Sequence, residues 1–216
     1  MRLEWRELTL KPFVLQLVAR LSARVFVGPE LCRNPEWLEV SKNYAVNTFM
    51  AARALRRYPF FLRRLVHWFA PECQRIRRDL REARRILKPI IEQRLERNRQ
   101  AAARGEHVSK IEDTIGWLHD GYQEQGLAPD LATSQLGLAM AAIHTTTELL
   151  TGSLLDLFAT PQILGDVRGE MRTVLDGQLW KKTTLYQLKL LDSVLKESQR
   201  LHTRDVGELI HWSVPA

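Results

Sequence analysis

The stretch from Leu131 to Phe158 is the longest apolar-dominated segment of the chain, and it contains no proline. Pro129 and Asp130 supply a start signal, Thr160 and Pro161 a stop, and the spacing between them predicts one helix of about 28 residues, roughly 40 Å long at 1.5 Å per residue. Apolar residues occupy most of its circumference. A helix of that kind belongs inside its domain, so the segment is expected to be a central buried rod against which the other helices pack. A membrane span would have comparable length, but His144, Glu148, Asp156 and the hydroxyl residues Thr145, Thr146, Thr147, Thr151 and Ser153 make it a poor one.

The rest of the chain reads as helices around that rod. Residues from about Thr9 to Phe26 carry leucine, valine and alanine at helical spacing, and Gly28-Pro29 stops them. Asn34-Pro35-Glu36 offers an N-cap, a proline at the first helical position and an acid in the first turn, which starts a second helix running to about Arg57. From Pro71 to about Ala103 a long arginine-rich helix is expected, with Ile76, Leu80, Ala83, Leu87, Ile90, Ile91 and Leu95 as its buried stripe, a kink or break at Pro89, and a stop at Gly105. Around Ile111 to His119 a short helix is expected to pack Trp117 on the rod. Pro161 to Leu175 and Leu185 to His202 read as the last two helices. No segment shows a strand pattern or a repeat, so the expected class is all-α.

Charge is concentrated in one region. The net charge is +7, yet residues 53–104 hold sixteen Lys/Arg against five Asp/Glu, a local +11 that leaves the remainder at −4. Nucleic-acid binding is not expected, because the basic run contains no base-reading module and the rest of the chain is acidic. Within this region Tyr58 to Pro71 is a proline-bracketed loop or short helix holding five aromatic residues beside Arg63, Arg64 and His67. Two readings stay open for it. Rings and guanidinium groups together suit the headgroup boundary of a membrane surface, and an aromatic core segment with surface arginines would look the same. Cys32 and Cys73 have neither metal-ligand spacing nor a disulfide framework. The charged start of the chain, with Gln16 and Arg20 interrupting the apolar run after Pro12, does not read as a secretory signal.

Two clusters could carry chemistry. Inside the rod, Ala141-Ala142-Ile143-His144-Thr145-Thr146-Thr147-Glu148 places proton-exchanging side chains in apolar sequence. In one reading the threonines bond back to the helix and His144 and Glu148 line a polar flank. In the other, the small Ala141 and Ala142 allow close approach to the backbone while the Thr145 hydroxyl distorts the ladder and opens a site for a small polar ligand. In the last helix, Glu197 and Arg200 stand at i and i+3, either as a surface ion pair or, given Leu191, Val194, Leu195 and Leu201 around them, as a partly buried one.

The alanine-rich, threonine-containing centre of the long helix is followed by a proline-started helix. Some 50 residues on comes Leu195-Lys196-Glu197-Ser198-Gln199-Arg200-Leu201-His202. In order and spacing these segments resemble the I, J and K helices of the cytochrome P-450 superfamily. Leu21 to Leu38, with Val27-Gly28-Pro29-Glu30-Leu31-Cys32-Arg33-Asn34-Pro35, together with Ile111 to Leu118 and His144-Thr145-Thr146, is similar to fungal members that oxidise terpenoid and related secondary metabolites. The resemblance covers about residues 1–202 and implies a partial cytochrome P-450 domain there, with 203–216 a divergent tail.

The resemblance implies a heme-thiolate monooxygenase that takes electrons from an NADPH-dependent reductase and hydroxylates a lipophilic small molecule at the cytosolic face of the endoplasmic reticulum membrane. It gives Thr145, with Thr146, the place of the residue that hydrogen-bonds dioxygen or its water. Ala141 and Ala142 would border the oxygen groove. His144 would stand where most members carry an acid, and Glu197 and Arg200 would lock the core beneath the heme. Tyr58 to Pro71 would be the membrane-dipping loop. No Phe-x-x-Gly-x-x-x-Cys-x-Gly signature occurs in these 216 residues, and neither Cys32 nor Cys73 has that context. The expected β-sheet, Cys-loop and N-terminal anchor of the family are likewise not found here. The chain is therefore expected to be a truncated form, inactive alone, of such an enzyme; the alternative is a non-catalytic remnant or a helical module acting at a membrane surface.

Overall fold

A computed structural model describes residues 7–105, 113–126, 130–176 and 181–202, and every regular element among them is helical. The elements are α1 (Leu10–Phe26), α2 (Pro35–Arg56), α3 (Phe60–Phe69), α4 (Pro71–Ala103), α5 (Thr114–Glu124), α6 (Leu131–Ala159), α7 (Pro161–Leu175), α8 (Lys182–Leu185) and α9 (Lys189–Leu201). They form two compact units, Leu15–Thr145 and Met1–Val14 with Thr146–Ala216. The expected tail, 203–216, lies outside the described residues, as does Ile111.

The larger unit is built on apolar stripes that meet. Asn34 caps α2 as its sequence requires: its Oδ1 accepts from the Trp37 amide at 3.0 Å, with Pro35 inside the first turn and Glu36 beside the helix N-terminus. The core joins Ala19, Ala23 and Val27 to Leu31, Trp37, Leu38 and Val40, to Ala83, Ile86 and Leu87 of α4, and to Ile115 of α5. From α6 it takes Leu131, Ala132, Leu136, Ala139 and Ile143. Those α6 positions recur every three to four residues, so one stripe of the helix is covered and the rod is not buried all round. Thr133, Ala141 and Thr145 are exposed.

Three further expectations are corrected. Of the kink or break expected at Pro89, the break is corrected: α4 runs through it as one helix, since proline removes one ladder bond and the flanking Leu87, Ile90 and Ile91 pack against the core on both sides of it. Trp117 is exposed, and Ile115 takes the buried position on α5. The aromatic-core reading of Tyr58–Pro71 fails: the segment is a helix with no buried residue.

Buried charge also holds the larger unit. Arg94 is buried in α4, donating to Asp113 Oδ2 at 2.7 Å, to Glu30 Oε2 at 2.8 Å and to the Val27 carbonyl at 3.5 Å. Asp113 in turn accepts the Gly116 amide at 3.0 Å at the start of α5. The turn after α1 passes close by because Gly28 has φ +83°, a left-handed conformation, and no Cβ; an added one would lie 2.8 Å from Asp113 Oδ2. At the start of α6, Asp130 accepts from the Thr133 hydroxyl at 2.6 Å and from Arg84 Nη2 at 2.6 Å. These contacts hold its carboxyl down at about 2, with the Arg84 hydrogen bond the leading cause.

In the smaller unit α7 packs on α9. The Glu170 carboxylate accepts the Leu190 and Leu191 amides at 2.7 and 3.0 Å, so an acid from one helix satisfies the open N–H groups at the start of the other. Gly152 lets α9 lie close to α6: a Cβ there would meet His202 Cδ2 at 2.9 Å and Ser198 Oγ at 3.4 Å. His202 Nε2 bonds Asp156 at 3.0 Å. The last helix begins at Lys189, four residues after the expected start, because Lys182–Leu185 forms the separate turn α8.

Candidate functional site

The polar centre of α6 is arranged by its own backbone. Thr145 Oγ1 donates to the Ala141 carbonyl at 2.6 Å and reaches the Ala142 carbonyl at 3.4 Å. A helix carbonyl that accepts a hydroxyl is drawn away from its normal partner, which loosens the ladder locally. Ala141 and Thr145 are exposed and Ala142 half-buried, so the methyl side chains leave the helix surface open beside the hydroxyl. With its proton engaged on Ala141, the Thr145 oxygen keeps lone pairs to accept a hydrogen bond from a small ligand or water.

His144 does a different job. Its Nε2 lies 2.9 Å from the Lys42 carbonyl on α2, which can only accept, so that nitrogen carries the proton. The imidazole thereby fastens α6 to α2 and leaves Nδ1 as the atom able to take a proton. Thr146 is exposed, and Thr147 is buried. Glu148 pairs with Lys11 at 2.5 Å.

Glu197 and Arg200 are brought together, at 2.8 and 2.6 Å, but on the surface: their side chains are 55% and 68% exposed. The partly buried reading of this pair is corrected. Leu191, Val194 and Leu195 point to the covered side of α9 and the ion pair to the other. Arg200's hydrogen bonds keep the Glu197 carboxyl below its ordinary range.

A family model described as cytochrome P-450 matches residues 7–207. The chain belongs to the cytochrome P-450 family. Among curated relatives, a cytochrome P-450 monooxygenase of Penicillium ochrochloron is 45% identical over 97% of this chain and 41% of its own length. One of Gibberella fujikuroi is 43% identical over 92% of this chain and 45% of the relative, and one of Aspergillus oryzae 45% identical over 92% and 36%. The chain thus spans about two fifths of the length of the relatives it matches. Its described residues are an all-α part of the P-450 fold.

Heme, the family's cofactor, suits one side of these residues only. The small side chains of Ala141 and Ala142 beside the Thr145 hydroxyl leave a strip of α6 over which a flat group could lie. The thiolate that would hold heme has no candidate among the described residues. Cys32 is buried, with Sγ donating to the Pro29 carbonyl at 3.4 Å. Cys73 is buried in the first turn of α4, and desolvation pushes its thiol up, away from thiolate.

The residues that sequence reasoning missed are Arg94, Asp113, Glu30 and the Gly152–His202 contact. The signal for Arg94 was its position seven residues after Leu87, on the buried stripe and not on the arginine-rich face.

Proposed function

We propose that this chain forms the oxygen-facing portion of a fungal cytochrome P-450 monooxygenase. The enzyme hydroxylates a lipophilic secondary metabolite of terpenoid type with electrons from an NADPH-dependent reductase at the cytosolic face of the endoplasmic reticulum membrane. Residues 1–202 are assigned to the P-450 domain and 203–216 to a tail. The observation that carries the reading is the match of the P-450 family model over residues 7–207; Thr145, which bonds back to the helix as either reading of the cluster allows, is exposed beside Ala141 and Ala142 and is the residue the resemblance singles out.

When bound, heme held by a thiolate would supply electron density for O–O cleavage; neither Cys32 nor Cys73 suits that role. The residues here do the rest of the local work. Thr145 accepts a hydrogen bond from water at the open strip, and its hydroxyl is held in place by the Ala141 carbonyl to which it donates. Thr146, on the same exposed arc, orders water beside it. His144 is tethered through Nε2 to the Lys42 carbonyl, which leaves Nδ1 as the ring atom that passes a proton toward the strip. Glu197 and Arg200 form a preassembled ion pair for a partner from further along the chain. The exposed aromatic and basic residues of α3 contact the membrane surface; no helix among the described residues is long and apolar enough to cross one.

The test is made in the full-length enzyme. Thr145→Ala is expected to lower product formed per NADPH consumed by about tenfold, the scale of one lost hydrogen bond to the ordered water, and Thr145→Ser to restore it. Unchanged coupling in Thr145→Ala would reject the role. The exposed aromatic face of α3 suits a second reading, in which the 216-residue polypeptide is a non-catalytic remnant or membrane-surface module. An in-frame Cys-loop signature in the genomic sequence beyond the His202 codon decides against it.

A further inference from the structure

Helix α3 has an unusual means of support. None of its ten residues is buried, so apolar burial, which orients most helices in proteins, contributes little here. Phe61, Leu65, Trp68 and Phe69 fall within about 100° of arc at 100° per residue, and all four are exposed. Pro59 and Pro71 bracket the helix, and neither has an N–H to carry a helix ladder across it. Its packing on α2 and α4 is limited to half-buried Arg63, Val66 and His67, which leaves room for a polar contact to set its direction.

That contact comes from the second turn of α4. Arg77 Nη2 donates to the His67 carbonyl at 2.8 Å and to the Trp68 carbonyl at 2.9 Å, two of the carbonyls that the end of α3 leaves without a helical partner. The Arg77 guanidinium carbon also lies 5.2 Å from the centroid of the Trp68 ring, within cation–π range. Gln74 Nε2 adds a longer bond to the Phe69 carbonyl at 3.4 Å. One cation thus meets the negative end of the α3 dipole, two open carbonyls and an aromatic face.

We infer that Arg77 is the positioning residue of α3, clamping its C-terminal turn to α4 so that Phe61, Leu65, Trp68 and Phe69 are presented together to a lipid surface. The lipid part rests on the membrane contact proposed above; the clamp does not. Glutamine at position 77 loses the charge and the fork, whereas lysine keeps the charge over the ring without the planar geometry.

The test uses the 216-residue chain and its Arg77→Gln and Arg77→Lys variants. Amide hydrogen exchange at residues 65–69 is expected to accelerate about tenfold in Arg77→Gln, the effect of losing one to two carbonyl hydrogen bonds. Arg77→Lys is expected to fall between, and α2 and α4 to be unchanged. A second readout places an environment-sensitive fluorophore on Phe61→Cys, selective because Cys32 and Cys73 are both buried. With vesicles of equal parts phosphatidylcholine and phosphatidylserine the label is expected to brighten, and to need several-fold more lipid in Arg77→Gln. Unchanged exchange at 65–69 overturns the clamp, as does equal acceleration throughout α2 and α4, which would make Arg77 a general stabiliser. A label that ignores vesicles, with exchange altered at α3 alone, overturns the lipid reading and supports the clamp.

Discussion

Arg94 shows what a single residue does when an arginine-rich helix turns one guanidinium inward. Its neighbours on α4 are solvated, but Arg94 sits on the covered stripe and meets Asp113 and Glu30 there. Replacing one member of a buried pair leaves the other charge without compensation, so Arg94→Met is expected to destabilise the fold by about 3–5 kcal/mol, measured by urea unfolding. The double variant with Asp113→Asn should recover part of that loss. Asp130 gives a pH signature of the opposite scale. Its carboxyl is lowered from 3.8 to about 2, so its contribution is present above the unfolded value near 4 and is lost as pH falls through about 2. Because the Arg84–Asp130 pair is nearly half exposed, that contribution is at most about 1 kcal/mol. The stability difference between Asp130→Asn and the parent chain should therefore shrink as pH is lowered across that window.

Elements differ in how they are held. Helix α2 is specified locally: Asn34, Pro35 and Glu36 were legible as a start because capping is a short-range interaction, and the structure uses each of them. Helix α9 depends on contacts from other helices. Glu170 satisfies its first amides, and Gly152 gives its last turn room beside α6. Alanine at position 152 improves helix propensity by about 1 kcal/mol, yet its Cβ would stand 2.9 Å from His202 Cδ2. Gly152→Ala is therefore expected to slow amide exchange within α6 and to accelerate it at residues 198–201, where the His202–Asp156 link must open. Parallel slowing in both helices would show that the close approach carries no constraint. The misplacement of Trp117 belongs to the same scale: α5 is amphipathic in either register, and only its seat on α6 selects Ile115 as the inward residue.

Across the whole molecule, apolar side chains remain on the surface. Phe13, Leu17, Leu21 and Val25 recur every four residues along α1 and are all exposed, and Leu155 and Phe158 are exposed at the end of α6. Contiguous apolar surface of this kind promotes association, so the isolated chain is expected to aggregate at concentrations where a compact monomeric protein stays dissolved, as light scattering would show. Heme added to it and reduced under carbon monoxide is expected to lack the Soret position of a thiolate-ligated iron, because both cysteines are buried; a thiolate-type band would overturn this.

The sequence by itself determined the helices, most of their ends and the Thr145 cluster, because periodicity, caps and prolines act over a few residues. It also supported the family, since order and spacing of such segments persist along one chain. Tertiary structure alone decided which stripe of α6 is covered, that Arg94 faces inward, that His144 is tied to α2, and that Glu197 and Arg200 face solvent. Each of these depends on what lies opposite a side chain, and residues 19 to 102 positions apart in the chain come into contact only when the helices pack.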